Sequence, residues 1–366
     1  MAGNLFRILT PEGTLEEGQT DPPIPVEDQL RVYRMMVLNR RLDERMISLQ
    51  RQGRLGFYVS SVGEEATIYG SCLALGESDW VLPCYREIGA AILRGCPLQV
   101  VMNQLFATAD DLSEGRQMPN HHAIRSVLYG SVSSPVGTQI PHATGIALAM
   151  RLQKKQEVAL VYFGDGATSV AAFHVGANFA GVFKAPVIFL CRNNQWAISV
   201  PREVQTAAET LAMKAQAYGF EGVRVDGNDV LAVHEVTRRA REKACRGEGP
   251  TLIEAVTYRM LAHSTSDDPR MYREEGEVER WKRLDPLKRF RTYLVAQDQW
   301  SEEQQKQLEE EVREEILSSL SRAEKAQSPS IDTMFEDVYD DVPWHLEEQR
   351  RQLREMELPE TVGQKV

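Results

Sequence analysis

"FGDGATS" spans Phe163–Ser169 and "CRNNQWAIS" spans Cys191–Ser199. Each follows a short apolar run, "VALVYF" (158–163) and "APVIFLC" (185–191), and each turns polar where a parallel strand would end. The stretch between them, from about 168 to 183, has helical spacing. In a right-handed strand–helix–strand unit the two strands lie side by side or nearly so, with their carboxyl ends at one sheet edge. Asp165 and the Asn193–Asn194 pair are thereby brought to one place. Gly164 and Gly166 permit a tight turn and a close approach of backbone N–H groups to a ligand. The helix predicted from about Ala167 would aim its amino end, with free N–H groups, at the same spot. A carboxylate, an amide oxygen and a backbone carbonyl make a hard-oxygen half-shell. That set suits Mg²⁺, whose remaining positions are filled by phosphate oxygens and water. The two stretches thus read as a magnesium–diphosphate clamp.

Outward from the clamp the alternation continues. "GVRVDG" follows a predicted helix near 206–218, and "PTLIEAVTY" follows another near 231–246. Strands alternating with helices predict an α/β fold, a parallel sheet flanked by helices on both faces. "VDGNDV" (225–230) looks like the first stretch, but nothing matching follows it, so it reads as a turn. Upstream, Glu27–Gln52 carries apolar residues at helical spacing and closes at Gly53. Residues 63–107 read as further helices broken at "LPCYRE" and "RGCPL", and 110–141 as a long Ser/Gly/Pro-rich loop. Downstream, 302–326 reads as a Glu/Lys/Gln-rich helix with a solvated face, followed by a polar tail. The expected organisation is an N-terminal arm and helix (1–52), an α/β domain (53–284) and a helical C-terminal extension (285–366).

The 366 residues carry a formal charge of −11 and no basic stripe, which argues against a nucleic-acid surface. Five cysteines, odd in number and without CxxC spacing, read as free thiols in a reducing compartment. No apolar run approaches a membrane span. The acidic, arginine-poor opening resembles neither a secretory signal nor a transit peptide, so the expected location is the cytoplasm, or an organelle matrix for a trimmed mature form.

Gly-Asp-Gly followed by Asn-Asn is the thiamine diphosphate signature. Together with "YREIG", "GRQMP", "SSPVGTQIP" and "HSTSDDPRMYR", it makes the chain resemble the alpha subunit of the decarboxylating component of 2-oxo acid dehydrogenase complexes. The resemblance runs from about Glu27 to "FEDVYDDVPWHL". It implies the thiamine-diphosphate-binding fold in its diphosphate-binding module. It also implies Mg²⁺ held by the side chains of Asp165 and Asn194 and the carbonyl of Trp196. The family usually has Gly-Tyr where this chain has Gln195-Trp196, which a backbone ligand tolerates. Tyr85, Arg86, Arg192 and His263 would hold the diphosphate, with Gly164, Gly166 and Ala167 lining the turn and His263 beside the reacting end of the cofactor. "SSPVGTQIP" resembles the family's potassium loop, with Ser133, the Pro135 carbonyl, Thr138 and Gln139 as ligands, and Ser134 and Val136 against the aminopyrimidine.

Thiamine diphosphate chemistry also needs a carboxylic acid on the pyrimidine, and this chain has length and pattern for the diphosphate module alone. The resemblance therefore implies a beta subunit in an α₂β₂ heterotetramer, and acyl transfer to the lipoyl group of a transacylase core. Phe57-Tyr58 and "HSTSDD" are most like the branched-chain enzymes, which implies 2-oxo acid substrates derived from valine, leucine and isoleucine, with Phe57 and Tyr58 at the substrate. Pyruvate or acetoin specificity is the alternative. A nicotinamide dehydrogenase is disfavoured because no GxGxxG follows an early strand. A non-catalytic scaffold is disfavoured because Asp165, Asn194, Arg86 and His263 are all present.

Overall fold

The computed structural model describes residues 5–356; the first four residues of the arm and the last ten of the C-terminal extension lie outside the described residues. Its centre is a six-stranded sheet in which every pairing is parallel. The strands are β1 (Leu5–Phe6), β2 (Trp80–Leu82), β3 (Ala159–Gly164), β4 (Val187–Asn193), β7 (Glu221–Asp226) and β8 (Thr251–Val256), lying in the order β1-β7-β8-β4-β3-β2. A separate antiparallel pair, β5 (Trp196–Ala197) and β6 (Val200–Pro201), follows β4. The central strands are apolar on both faces because both are covered.

Side-chain alternation sorts them into two layers. Leu160, Tyr162, Ile188, Leu190, Ile253 and Ala255 point to one face. There they pack with α1 (Val26–Arg51), α2 (Glu65–Leu73), α3 (Ile88–Leu93), α4 (Leu98–Leu105) and α8 (Val230–Cys245). Ala159, Val161, Phe163, Val187, Phe189 and Leu252 point to the other, beneath α5 (Gln139–Leu152) and α6 (Ala171–Phe183). The first core continues into α10 (Pro286–Ala296) and α11 (Glu302–Lys325). Leu308, Val312, Ile316, Leu320 and Ala323 form the buried stripe of α11, and its Glu/Lys/Gln residues take the other side. The shorter helices α7 (Arg202–Gln205), α9 (Glu275–Lys282), α12 (Thr333–Glu336) and α13 (Trp344–Glu355) complete the chain.

The sheet, its parallel sense and the helices on both faces match the sequence expectation, and several local readings change. The helix expected from Ala167 begins at Ala171. Asp165–Ser169 is a 3₁₀ turn and Val170 is extended, because the Thr168 hydroxyl and the Val170 N–H close tight bonds to the carbonyls of Asp165 and Ala167. In place of the helix expected over 206–218 there is a 3₁₀ turn at Ala212–Tyr218, α7 having ended at Gln205. Besides the β5–β6 pair, two strands of the main sheet arise where none was expected. β2 lies within the segment read as helical, and β1 in the arm pairs with β7. Both have three residues or fewer, too short for a period-2 pattern.

Candidate active site

Parallel pairing of β3 with β4 sets Gly164 opposite Arg192, so the turn after β3 and the loop after β4 leave the sheet side by side. Asp165 lies in the first and is 1% exposed, yet its Oδ2 has no hydrogen-bond partner. Burial pushes its carboxyl up to about 6; the nearby Glu64 adds to this, and Arg259 and Arg192 oppose it. A buried carboxylate oxygen without a partner is costly unless something else supplies the positive charge. A Cβ on Gly166 would lie 2.8 Å from that of Ala197, so the turn needs glycine there to pack on β5. A Cβ on Gly164 would meet no atom within 4 Å, which leaves that side open to a ligand. Ala167 is buried in the same turn. Lys214 braces it from behind, its ammonium 2.8 Å from the Thr168 hydroxyl and 3.2 Å from its carbonyl.

In the neighbouring loop, Asn194 Nδ2 donates to Glu64 Oε1 at 2.9 Å, which turns Asn194 Oδ1 the other way, where it accepts a long bond from the Trp196 N–H at 3.3 Å. The Trp196 carbonyl accepts from Arg259 Nη1 at 3.2 Å, and the indole donates to Glu277. Each of these oxygens keeps a second lone pair. Gln195, between them, has φ +73°, the left-handed region glycine occupies freely. Its amide donates to the Asn193 carbonyl at 3.0 Å and so ties the strained backbone down. The orphaned Asp165 oxygen and the oxygens of Asn194 and Trp196 are a donor set that fits Mg²⁺.

Arg86 and Arg192 are both buried in the same region. Arg192 is held by carboxylates, through an ion pair of Nη1 with Glu64 and another of Nη2 with Glu87 Oε1 at 2.5 Å. Arg86 donates instead to the carbonyls of Ser60 (2.5 Å) and His263 (2.8 Å), with Nη2 3.1 Å from His263 Nδ1. A guanidinium only donates, so Nδ1 is the acceptor and the ring proton resides on Nε2. Burial, with Arg86 and Arg259 adding to it, pulls His263 down to about 3. The imidazole is therefore neutral, with its ring proton available on Nε2. Tyr85 meets the His263 ring edge-to-face at 5.9 Å.

Among the described residues Arg259 is buried with no carboxylate at ion-pair distance; it donates to Trp196, Ile198 and the Tyr272 hydroxyl. Tyr272 in turn donates to Asp267, which also accepts the backbone N–H of His263 at 2.7 Å. Glu64, Glu87, Arg259 and Asp267 were not singled out by sequence reasoning. Glu87 stands inside "YREIG" and Asp267 inside "HSTSDD", so their motifs were noticed without their roles. Glu64, beside Glu65 ahead of a helix, reads as a common acidic helix start.

The loop 133–139 lies apart from this cluster in its contacts. The Thr138 hydroxyl donates to the Pro135 carbonyl at 2.9 Å, Gln139 Nε2 donates to the Tyr162 carbonyl, and Ser133 is half-buried. Ser134 is exposed with its hydroxyl 2.7 Å from His121 Nε2, and Val136 is 57% exposed. Phe57 is half-buried, whereas Tyr58 lies in the core with its hydroxyl donating to Asp43 at 2.6 Å.

The carboxyl edge of this parallel α/β sheet thus gathers an unpaired carboxylate, buried guanidiniums and an imidazole, a set whose chemistry suits a metal-bound phosphorylated ligand. Comparison with known proteins makes this specific. The family model "Dehydrogenase E1 component" matches residues 33–332, and the chain belongs to that family. It is similar to 2-oxoisovalerate dehydrogenase subunit alpha 2, mitochondrial, of Arabidopsis thaliana, with 42% identity over 96% of this chain and 74% of the relative. It is similar also to the corresponding alpha subunits of Caenorhabditis elegans (41% over 95% of this chain and 81% of the relative) and Homo sapiens (40% over 95% and 79%).

Proposed function

We propose that this chain is the alpha subunit of a branched-chain 2-oxo acid dehydrogenase, working with a beta subunit in an α₂β₂ assembly and passing its acyl product to the lipoyl group of a transacylase core. The observation that carries the site reading is the buried Asp165 carboxylate with an oxygen left unpaired, beside Asn194 and the Trp196 carbonyl. These three would hold Mg²⁺, and Arg86 and His263 Nε2–H would bind the diphosphate, with Arg192 and Tyr85 framing it. Thiamine diphosphate, when bound, supplies the nucleophilic carbon and the electron sink for decarboxylation. The chain's own residues bind, orient and exclude water. His263, held by Arg86 and by Asp267, keeps one N–H fixed beside the ligand. Ser133, Pro135, Thr138 and Gln139 are proposed for K⁺, and Ser134 and Val136 for the pyrimidine. The exposed part of Phe57 is the element of the Phe57-Tyr58 pair that would meet substrate, with Tyr58 supporting it from the core.

No helix among the described residues is long and apolar enough to cross a membrane. The relatives are named as mitochondrial proteins. For this chain we propose whichever compartment holds its lipoyl-bearing partner, an organelle matrix or the cytoplasm.

The test is to assay the chain, alone and with its beta subunit, for CO₂ release with an artificial electron acceptor. The chain alone should turn over negligibly. The assembled protein should decarboxylate 3-methyl-2-oxobutanoate with about tenfold or more higher kcat/KM than pyruvate, since each methylene in an apolar pocket is worth about 1–3 kcal/mol. Full turnover by the isolated chain, or a preference for pyruvate, would overturn the reading.

A further inference from the structure

We propose that Glu64 is the positioning residue of the metal site, fixing which atom of Asn194 is presented to Mg²⁺; this rests on the clamp reading above. Glu64 is wholly buried at the amino end of α2 and stands outside both chain segments that form the clamp. Its Oε1 accepts from Asn194 Nδ2 at 2.9 Å, its Oε2 pairs with Arg192 Nη1, and Arg86 Nε lies 3.8 Å from Oε1. One carboxylate thus touches three of the residues placed at the metal and the diphosphate.

An asparagine amide can rotate by half a turn at little steric cost, exchanging its oxygen with its nitrogen. Only the oxygen can bind a metal. A carboxylate accepts and never donates, so Glu64 admits only the orientation with Nδ2 turned toward it. That leaves Oδ1 on the far side, where its remaining contact is the long bond from the Trp196 N–H. The same carboxylate holds one end of Arg192, while Glu87 holds the other. Without Glu64 the long bond from the Trp196 N–H is all that remains to distinguish the two ends of the amide. A share of the molecules would then present N–H groups to the ion, and Arg192 would be held by Glu87 alone.

The experiment uses the assembled protein with its beta subunit. Mg²⁺ is titrated at saturating thiamine diphosphate, and the shift in thermal midpoint is read independently of turnover. Glu64→Ala should raise the Mg²⁺ dissociation constant at least tenfold. Asn194→Asp should do the same, because it sets two carboxylates against each other. The exchange Glu64→Gln with Asn194→Asp reverses donor and acceptor at unchanged net charge. The new amide then donates to the aspartate, whose other oxygen faces the ion, and affinity should return to within about threefold of wild type. A purely structural Glu64 would lower the midpoint without cofactor and would show no recovery in the exchanged pair. Wild-type Mg²⁺ affinity in Glu64→Ala, or a failure of the exchanged pair to recover, would overturn the proposal. If Glu64→Ala does not fold, the exchanged pair decides the matter. A wild-type protein with no Mg²⁺-dependent binding would overturn the clamp itself, and this inference with it.

Discussion

Two strands of one sheet run out into Asp-Gly at the same carboxyl edge, β3 into Asp165-Gly166 and β7 into Asp226-Gly227, and the two turns do opposite things. After β7 every acidic oxygen is engaged from within the chain. Asp226 takes Arg7 Nε and Arg289 Nη1, each at 2.9 Å, and the Asn228 N–H at 3.0 Å. Asp229 caps α8 through the N–H groups of Leu231 and Ala232 and pins the arm through those of Ile8 and Leu9 at 2.8 and 2.6 Å. After β3, Asp165 is as deeply buried, yet Oδ2 has nothing. Two stretches that look alike in sequence are separated by unfilled hydrogen-bonding capacity. In one turn the protein spends its carboxylates on its own backbone, and in the other it keeps one oxygen in reserve.

Removing each aspartate should therefore break different properties. Asp229→Ala strips two caps and two arm contacts and removes the carboxylate 3.7 Å from the buried Arg289. The expected loss is about 3–5 kcal/mol of stability, read by urea denaturation, as for one partner of a buried pair. Asp165→Ala should leave the cofactor-free midpoint in urea unchanged or raised, since it deletes an unpaired buried carboxylate. What it should lose is the stabilisation by thiamine diphosphate and Mg²⁺, about 2.7 kcal/mol at a hundred times the dissociation constant in wild type. Equal behaviour of the two variants in both measurements would end the distinction.

The same contrast marks how much was legible in the sequence. β3, β4 and β8 announced themselves as apolar runs ending in polar turns, and from their parallel pairing the approach of Asp165 to Asn194 followed. β1 and β2 did not, because two or three residues carry no period and owe their pairing to neighbours. The 3₁₀ turn at Asp165–Ser169 was hidden because its closure depends on the Thr168 hydroxyl and on Lys214 from a distant segment. Glu64 and Arg259 were missed for a related reason. A buried charge is recognised by what surrounds it, and Glu64 meets Arg192 across 128 positions of chain. That His263 is neutral was equally invisible, since it follows from burial beside two arginines.

Acid should act on both regions alike, with a smaller effect, and cofactor binding should then separate them. His263 at the candidate site is held down to about 3, and His234 on α8, behind the β7 turn, to about 4, each mainly by burial. Both pKa values lie below the unfolded value of about 6.5, so the unfolded chain takes up protons first. Their contribution is intact above pH 6.5 and is lost as pH falls toward 4 and then 3. The slope is at most about 1.4 kcal/mol per pH unit for each histidine, and less for His263, which keeps some contact with water. Urea denaturation of the cofactor-free protein at several pH values from 7.5 to 4.5 should show that slope reduced in both His234→Gln and His263→Gln. Only His263→Gln should also weaken cofactor binding at pH 7.5. Equal cofactor affinity in the two would place His263 with the structural histidines.

The smallest effect is expected from Gln195→Gly, which tests whether the loop after β4 serves the ligand through its backbone or through this side chain. At φ +73° a glutamine pays for the left-handed conformation, about 1–2 kcal/mol that glycine would not. Against this, its amide makes bonds to the Asn193 carbonyl at 3.0 Å, the Asn193 Oδ1 at 3.2 Å and the Thr257 carbonyl at 3.4 Å. Such bonds contribute about 0.5–1.5 kcal/mol each at best, and less at the longer distances. Glycine further loosens the unfolded chain by about 0.4–1 kcal/mol. These terms nearly cancel, so the variant should lie within about 1 kcal/mol of wild type in urea denaturation. Mg²⁺-dependent cofactor affinity should be unchanged as well, because the ligand proposed next to it is the carbonyl of Trp196 and the position of that carbonyl is fixed by Arg259 and by the β5–β6 pairing. A large loss of Mg²⁺ affinity in a stably folded Gln195→Gly protein would show that the glutamine side chain, and not the backbone alone, shapes the metal edge. The division of labour drawn between the β3–β4 edge and the β7 turn would then need a further ligand-side residue.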